Sequence, residues 1–328
     1  MKITLIGGSG FLGSNISKLF YNKSLSFQIF DIHKSQFFPE KCILGDIRNF
    51  NELSKIGETD VLINLAAVHR DDVSPISLYD EVNVLGSKNI CKYAEEKSIN
   101  KIIFSSSVAI YGFAEPNTKE DGPINYFNDY GRTKYLAELE YIKWFEKDPD
   151  NRCLTIVRPT VIFGKGNRGN VYSLLSQINS KKFAMFGNGL NIKSMAYVKN
   201  VAAFFEYSLN FDKGIHKYNY IDKPDMNMNK LIKKVRKALF KKNTVGVKLP
   251  AFMGLLIGKI ADFISLIINK NLPISSIRIK KFLSTTQFDS SISETGFVAP
   301  YSIEMGLNET IKYEFLENHK NRITFETE

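Results

Sequence analysis

Tyr130 and Lys134 stand four residues apart in the segment Tyr130-Gly131-Arg132-Thr133-Lys134, a spacing that puts both side chains on one face of a helix. A phenol with an ordinary pKa near 10 is a poor base at neutral pH, and an ammonium beside it favours the phenolate. At an effective dielectric of about 20, a charge ~4 Å away is worth roughly 4 kcal/mol, at most about three pKa units. Tyr130 would then titrate where a general base is most useful. Alone, such a pair is more often an amphipathic surface pair. What points it toward chemistry is the order of what precedes it: a glycine loop near the N-terminus and then Ser105-Ser106-Ser107 at the end of a β-rich run.

The run Lys2 to Ile6 leads directly into Gly7-Gly8-Ser9-Gly10-Phe11-Leu12-Gly13, a loop that opens a helix. Gly7 permits the tight turn, Gly10 lets the backbone approach a pyrophosphate, and Gly13 allows close helix-to-strand packing; the helix N-terminus stabilises the anion. Gly7, Gly10, Phe11, Leu12 and Gly13 are therefore the expected contacts to a dinucleotide. The second β-rich run ends at Asp31, where a carboxylate binds the adenosine ribose and repels a 2′-phosphate, which favours NAD over NADP, with Lys34 nearby as the opposing signal. Asp46 and Ile47 follow a third strand where a carboxylate can meet the adenine amine, and a surface turn fits the same spacing. Asn64-Leu65-Ala66-Ala67 ends the fourth strand in small residues, so Leu65, Ala66 and Ala67 leave room for the cofactor's backbone.

These groups need a frame, and the first half of the chain supplies one by alternating β-rich runs with helical patterns, as a doubly wound parallel sheet requires. Strands are expected over Lys2 to Ile6, Ser26 to Asp31, Val61 to Leu65, Lys101 to Ser105 and Leu154 to Arg158, with helices including Val84 to Lys97 and Tyr130 to Phe145. After Gly164 the alternation weakens, so residues 1–164 read as the nucleotide-binding domain and 165–328 as mainly a smaller substrate domain. A strand at His216 to Ile221 is expected to return to the sheet within a segment near 195–222, so the two domains interleave. The 328-residue length suits such a pair, and 44% apolar with 24% charged residues excludes disordered and collagen-like classes. Cys42, Cys91 and Cys153 lack disulfide or zinc spacing and read as buried thiols in a reducing cytoplasm; no metal is expected from the four scattered histidines. The apolar N-terminus reads as a nucleotide loop rather than a signal peptide, and no charge-free run reaches the length of a spanning helix. The net charge is +10, concentrated in Lys230, Lys233, Lys234, Arg236, Lys237, Lys241 and Lys242. Such a cluster favours an anionic partner, nucleic acid or a membrane surface.

Taken together, GxxGxxG, Asp31, Asn64 to Ala67, Asn83, Phe104 to Gly112, YxxxK and Arg158-Pro159 resemble the extended short-chain dehydrogenase/reductases, which implies a Rossmann-type fold and NAD as cofactor. By that resemblance Ser107 hydrogen-bonds the reacting hydroxyl, Tyr130 exchanges its proton, and Lys134 also holds the nicotinamide ribose, with Asn83 and Pro159 shaping the nicotinamide pocket. Dehydratases of the family carry an acidic pair just after the serine. Val108 and Ala109 stand there instead, so elimination of water lacks its acid and base. Epimerisation needs only serine, tyrosine, lysine and a tightly held NAD: hydride leaves C4, the 4-keto sugar turns over, and hydride returns to the other face.

A closer resemblance covers nearly the whole chain. His69 to Pro75, Arg158 to Tyr172, Lys193 to Val198, Asn219 to Asn229, Ser275 to Asp289 and Gly296 to Tyr301 are similar to the bacterial epimerases that convert undecaprenyl-diphosphate-linked N-acetylglucosamine (GlcNAc) to N-acetylgalactosamine (GalNAc) for O-antigen assembly. The implied substrate-binding residues are Arg70, Val108, Asn167, Arg168, Lys193, Tyr197 and Thr286. Arg168 and Lys193 are cations suited to a diphosphate, though each alone also reads as a solvated loop cation. Arg70, Asp71 and Asp72 lie past a strand's carboxyl end, where ligands collect and where a local ion pair looks the same. Thr286 falls near the position where a small side chain leaves room for an acetamido group. The basic Asn229 to Lys242 and apolar Ala251 to Ile268 patterns resemble an interfacial anchor, against a core helix beside a solvated one. The implied partners are a lipid-linked amino sugar and an anionic membrane surface met through 229–268, with no nucleic acid and a homodimer left open. The implied location is peripheral, on the cytoplasmic face of the bacterial inner membrane. A soluble UDP-GlcNAc 4-epimerase, a sugar reductase and a non-catalytic dinucleotide sensor are the competing readings.

Overall fold

A computed structural model describes residues 1–70, 73–268, 275–319 and 322–326. In chain order the strands are β1 (Lys2–Ile6), β2 (Ser26–Asp31), β3 (Cys42–Leu44), β4 (Val61–Asn64), β5 (Lys101–Ser105), β6 (Cys153–Pro159), β7 (Val161–Phe163), β8 (Met185–Phe186), β9 (Ile192–Lys193), β10 (Met195–Tyr197), β11 (Gly214–Tyr220), β12 (Met226–Asn227) and β13 (Lys248–Leu249). The helices are α1 (Phe11–Asn22), α2 (Gly86–Glu96), α3 (Asp129–Glu146), α4 (Asn170–Asn179), α5 (Val198–Tyr207), α6 (Met228–Phe240), α7 (Ala251–Ile268), α8 (Ser276–Leu283) and α9 (Ile303–Ile311).

Seven strands form one sheet in the order β11-β6-β5-β4-β1-β2-β3, and every neighbouring pair in it is parallel. A parallel sheet is covered on both faces, so its strands are near-continuously apolar. β6 is buried along its whole length. Ile3 and Leu5 pack with α1 and α5 residues such as Ile16, Phe20, Val201 and Phe205 on one side, and Ile6 joins Ile90, Ala137 and Tyr141 from α2 and α3 on the other. The strand order reverses between β1 and β4, and ligands of such sheets bind in the crevice beyond the strand ends at that point. β11 returns to the sheet beside β6 in the expected manner.

A second core lies in the C-terminal region, where Leu175, Ile178, Leu231, Ile232, Val235, Leu307 and Ile311 from α4, α6 and α9 meet. The apolar face of α6 is therefore committed to this core, leaving exposed lysines on its other face. α7 differs. By length and composition it is apolar and long enough to cross a membrane, although it is not a charge-free run. Its two charges, Lys259 and Asp262, do not interrupt the helix, and the Asp262 carboxylate accepts the Ser276 N–H at the start of α8, 3.2 Å away.

Only 11% of α7 is buried, which decides against a core helix. It docks through Gly254 and Gly258, one turn apart. A Cβ on Gly254 would meet the Phe186 ring and Ile279, and one on Gly258 would lie 2.7 Å from the Ser276 Cα. These glycines let α7 and α8 pack closely, while Phe252, Leu256, Ile260, Phe263, Leu266 and Ile267 remain exposed.

Candidate active site

The crevice between β1 and β4 brings the glycine loop, the serine turn and the start of α3 together. Gly7 has φ +76°, and a Cβ there would sit 2.5 Å from the Ala66 N, so the loop rests directly on the Leu65-Ala66 backbone. A Cβ on Gly13 would fall 2.5 Å from the Gly8 Cα, which only glycine avoids. At Gly10 the nearest neighbour of such a Cβ is the Gly7 oxygen at 3.5 Å, so there the loop faces open space. The N-cap of α1 is Gly10, which supplies no side-chain acceptor, and the first-turn N–H groups are left for an anion. A pyrophosphate fits this cradle. Asp31 fits the ribose end: its two carboxylate oxygens accept N–H groups of Ser9 and His33, each at 2.9 Å, which fixes their direction. Cys42, expected to be buried, is half-exposed, with its sulfur 3.8 Å from Ser9 Oγ.

Asp46 is held by Arg48, whose Nε and Nη2 donate to one carboxylate oxygen at 2.8 and 2.6 Å. Burial pushes the Asp46 pKa up, and the bonds from Arg48 outweigh it and bring it below the ordinary value. Ile47 is buried against Gly86. Asn83 lies in a π-helical turn, Tyr79–Leu85, that precedes α2 where the periodicity placed a helix from Val84 onward. Its amide receives the Val68 N–H at 2.8 Å and donates to Val68 O and Thr133 Oγ1, both at 2.9 Å. Asn83 thus ties the floor of the crevice to α3. Pro159 closes β6, buried at the crevice's edge.

The placement of Tyr130 and Lys134 depends on Gly131. A Cβ at that position would lie 2.5 Å from the Ala109 oxygen, so the first turn of α3 rests on the turn that follows Ser107. Asn128 caps the helix, its Oδ1 accepting the Gly131 N–H at 2.9 Å, and Arg132 anchors it by a two-pronged bond to Asp80 at 2.9 and 2.6 Å. Ser107 Oγ accepts the Ala109 N–H at 3.1 Å, which leaves the hydroxyl proton to be donated into the crevice. Lys134 is 1% exposed, its ammonium 4.2 Å from the Phe104 ring centroid. Burial pulls its pKa down to about 7, against the upward pull of the Glu138 charge one turn further along. The ammonium is therefore poised to hold or release its proton near neutrality.

Beneath this pair lies a buried ionic network. Arg158 Nε and Nη2 donate to Glu138 at 2.9 and 2.6 Å, with side chains 4% and 1% exposed. Ser106, the neighbour of Ser107, donates to the same carboxylate. Arg158 Nη1 donates to Tyr111 Oη at 2.6 Å, and Tyr111 Oη in turn to Asn219 Oδ1 at 2.9 Å. One network thus joins the ends of β5, β6 and β11 to α3. Residue types alone single out neither Glu138 nor Ser106, although Glu138 repeats the four-residue spacing of the catalytic pair. His69 is the other residue missed as an individual contributor: its ring stands edge-on to Tyr130 with centroids 6.5 Å apart. Its place just past β4 was the available signal.

The expected substrate residues divide. Val108 lines the serine turn, half-buried, and no carboxylate stands at it or at Ala109. Arg70 is exposed and its carbonyl accepts the Tyr79 hydroxyl; Asp71 and Asp72 lie outside the described residues. Arg168 pairs with the buried Glu314 at 3.0 Å and lies over the Tyr172 ring. Asn167 is buried, its Oδ1 accepting the Gly169 N–H at 2.6 Å. Lys193 donates to the carbonyls of Lys281 and Ser284 at 2.7 and 2.6 Å, pinning the end of α8, and burial lowers its pKa to about 8. Thr286 bridges to Lys193 along a short strand. Tyr197 is buried, its hydroxyl donating to Glu309 at 2.6 Å. Near Asn167 the chain returns: Phe325 accepts the Arg168 N–H and donates to Gly166 O, both at 2.9 Å, and its ring packs 5.7 Å from that of Phe11 in the glycine loop.

This arrangement is that of a dinucleotide-dependent enzyme acting on an alcohol carbon, and the comparisons agree. The NAD dependent epimerase/dehydratase family matches residues 3–220, and the chain belongs to it. Over 332 aligned positions, spanning 100% of this chain and 99% of the relative, it is 46% identical to an N-acetyl-alpha-D-glucosaminyl-diphospho-ditrans,octacis-undecaprenol 4-epimerase of Escherichia coli O157:H7. The fold is shared with a UDP-N-acetylglucosamine 4-epimerase from Bacillus cereus (TM-score 0.74, 17% identity, 95% of this chain and 98% of that one). It is shared equally with a UDP-glucuronic acid 4-epimerase from the same organism solved with NAD (TM-score 0.72, 19% identity, 95% and 96% covered).

Proposed function

We propose that this chain is an NAD-dependent 4-epimerase that interconverts GlcNAc and GalNAc carried on undecaprenyl diphosphate, in the assembly of a surface polysaccharide. The observation that carries the reaction type is the placement of Ser107, Tyr130 and the buried Lys134 by one crevice, with Val108 and Ala109 where a dehydratase needs acids. Such a site moves one proton at one carbinol. The full-length similarity to a lipid-linked-sugar epimerase supports the choice of substrate.

In this mechanism Ser107 donates to the 4-hydroxyl oxygen and holds it beside Tyr130. Tyr130 takes the hydroxyl proton, helped by the Lys134 ammonium. When bound, NAD would supply the hydride acceptor for C4, and with the hydride given back to the sugar there would be no net oxidation. The 4-keto sugar then presents its other face, and Tyr130 gives the proton back. α7 would lie at the membrane's cytoplasmic surface, its exposed Phe, Leu and Ile entering the acyl boundary.

The test offers purified enzyme with catalytic NAD either undecaprenyl-diphosphate-linked GlcNAc or UDP-GlcNAc, then identifies the acid-released sugars. GalNAc is expected from the lipid-linked substrate, and Tyr130→Phe is expected to lower the rate by about 10²- to 10⁴-fold. Turnover of UDP-GlcNAc alone, or an undiminished phenylalanine variant, overturns the reading.

A further inference from the structure

Three aromatic side chains lie open beside the catalytic helix. Phe113, Tyr126 and Phe127 are 40%, 40% and 43% exposed, in the loop between the serine turn and α3. The rings of Phe113 and Phe127 pack against each other with centroids 5.0 Å apart. Tyr126 lies against Gly131, where a Cβ would meet its Cβ at 3.0 Å, so the group borders the turn that carries Tyr130. From the other side α8 reaches over it. Lys280 Nζ stands 5.2 Å from the Phe113 centroid, and Lys281 Nζ 5.0 Å from that of Phe127.

α8 is also the helix against which α7 is docked through Gly254 and Gly258, and Ile277 on it is 44% exposed. Exposed apolar side chains therefore stand in the loop beside α3, on α8 and on α7, with ammonium groups against the two phenyl rings. A sugar is too polar to occupy hydrocarbon surface of this kind. A ligand that is anionic at one end and hydrocarbon at the other matches it in both respects.

We propose that Phe113 and Phe127, bordered by Lys280 and Lys281, seat the isoprene units next to the diphosphate of a polyprenyl-linked substrate, so that the lipid leaves the crevice along α8 toward α7. The proposal rests on the lipid-linked reading of the substrate and adds the path the lipid takes. Burying as few as two methylenes against the rings is worth about tenfold in affinity, so the seat predicts a chain-length preference.

The NAD-loaded full chain is titrated calorimetrically with isopentenyl diphosphate, farnesyl diphosphate and UDP. Farnesyl diphosphate is expected to bind at least about tenfold more tightly than isopentenyl diphosphate. In Phe113→Ala with Phe127→Ala the two should come within about threefold, while Lys280→Ala with Lys281→Ala should weaken both alike. As a check that needs no variant, a benzophenone-bearing farnesyl diphosphate analogue should label residues 113–127. Equal affinities in the unaltered protein, a preference that survives the alanine pair, or labelling confined to α7 overturns the seat. An alanine pair that keeps the farnesyl preference but no longer sediments with phosphatidylglycerol vesicles would assign the rings to bulk lipid, and also overturns it. None of these readouts needs turnover. A protein that epimerises the lipid-linked sugar without the preference keeps its function and loses the seat, and the reverse result does the opposite.

Discussion

Beneath Tyr130 and Lys134, charged groups are buried and paired; on α7, apolar groups are exposed. Glu138 and Arg158 are almost without solvent contact, whereas Phe263 and Leu266 are 64% and 79% exposed. A soluble fold ordinarily keeps both arrangements rare, because burying charge and exposing hydrocarbon each cost stability. Finding both in one chain separates two tasks. The ion pair ties three strand ends to α3, and α7 presents apolar surface that the described residues do not cover.

The comparison breaks most visibly at Arg158. Arg158→Met leaves the Glu138 carboxylate buried without its partner, and a loss of about 3–5 kcal/mol is expected in denaturant unfolding. A loss below about 1 kcal/mol would mean that the pair is dispensable. A smaller, more specific effect is expected from Glu138→Gln. The Glu138 charge raises the Lys134 pKa against burial, so removing it, with Arg158 then unbalanced, lowers that pKa further below about 7. Lys134 would lose its proton at lower pH, and the alkaline limb of the pH–kcat profile should move to lower pH. A limb that stays in place separates Lys134 from the rate. On α7 the expected stability change is the smallest: Phe263→Glu with Ile267→Glu should alter unfolding by about 0.5 kcal/mol or less while abolishing sedimentation with anionic vesicles. Several kcal/mol of destabilisation would mean that this face is covered in the free protein.

The cofactor half was legible because each of its signals is local. Lys2–Ile6, Ser26–Asp31 and Lys101–Ser105 begin and end where the β-rich runs do, since a strand buried on both faces is apolar throughout. Gly7, Gly13 and the pair Tyr130 and Lys134 could be read from spacing, as the geometry they serve spans one turn of chain. Arg168 and Lys193 could not. A cation's residue type states its charge but not its partner, and the partners, Glu314 for one and the carbonyls at the end of α8 for the other, are remote in sequence. The pairing of Arg158 with Glu138 escaped for the same reason. The exposure of α7 was expected only through the family resemblance, since apolar periodicity is the same whether a helix packs in a core or stays uncovered, and only the packed structure shows which neighbours are there.

The contact between Phe325 and Phe11 joins segments separated by most of the chain. During translation the dinucleotide loop emerges first, and the ring that buttresses it is made only after the C-terminal region has been synthesised. An isolated N-terminal half would carry every residue of the glycine fingerprint and still lack this wall. In this protein the cofactor cradle is completed by vectorial synthesis of the whole polypeptide rather than by its own sequence neighbourhood.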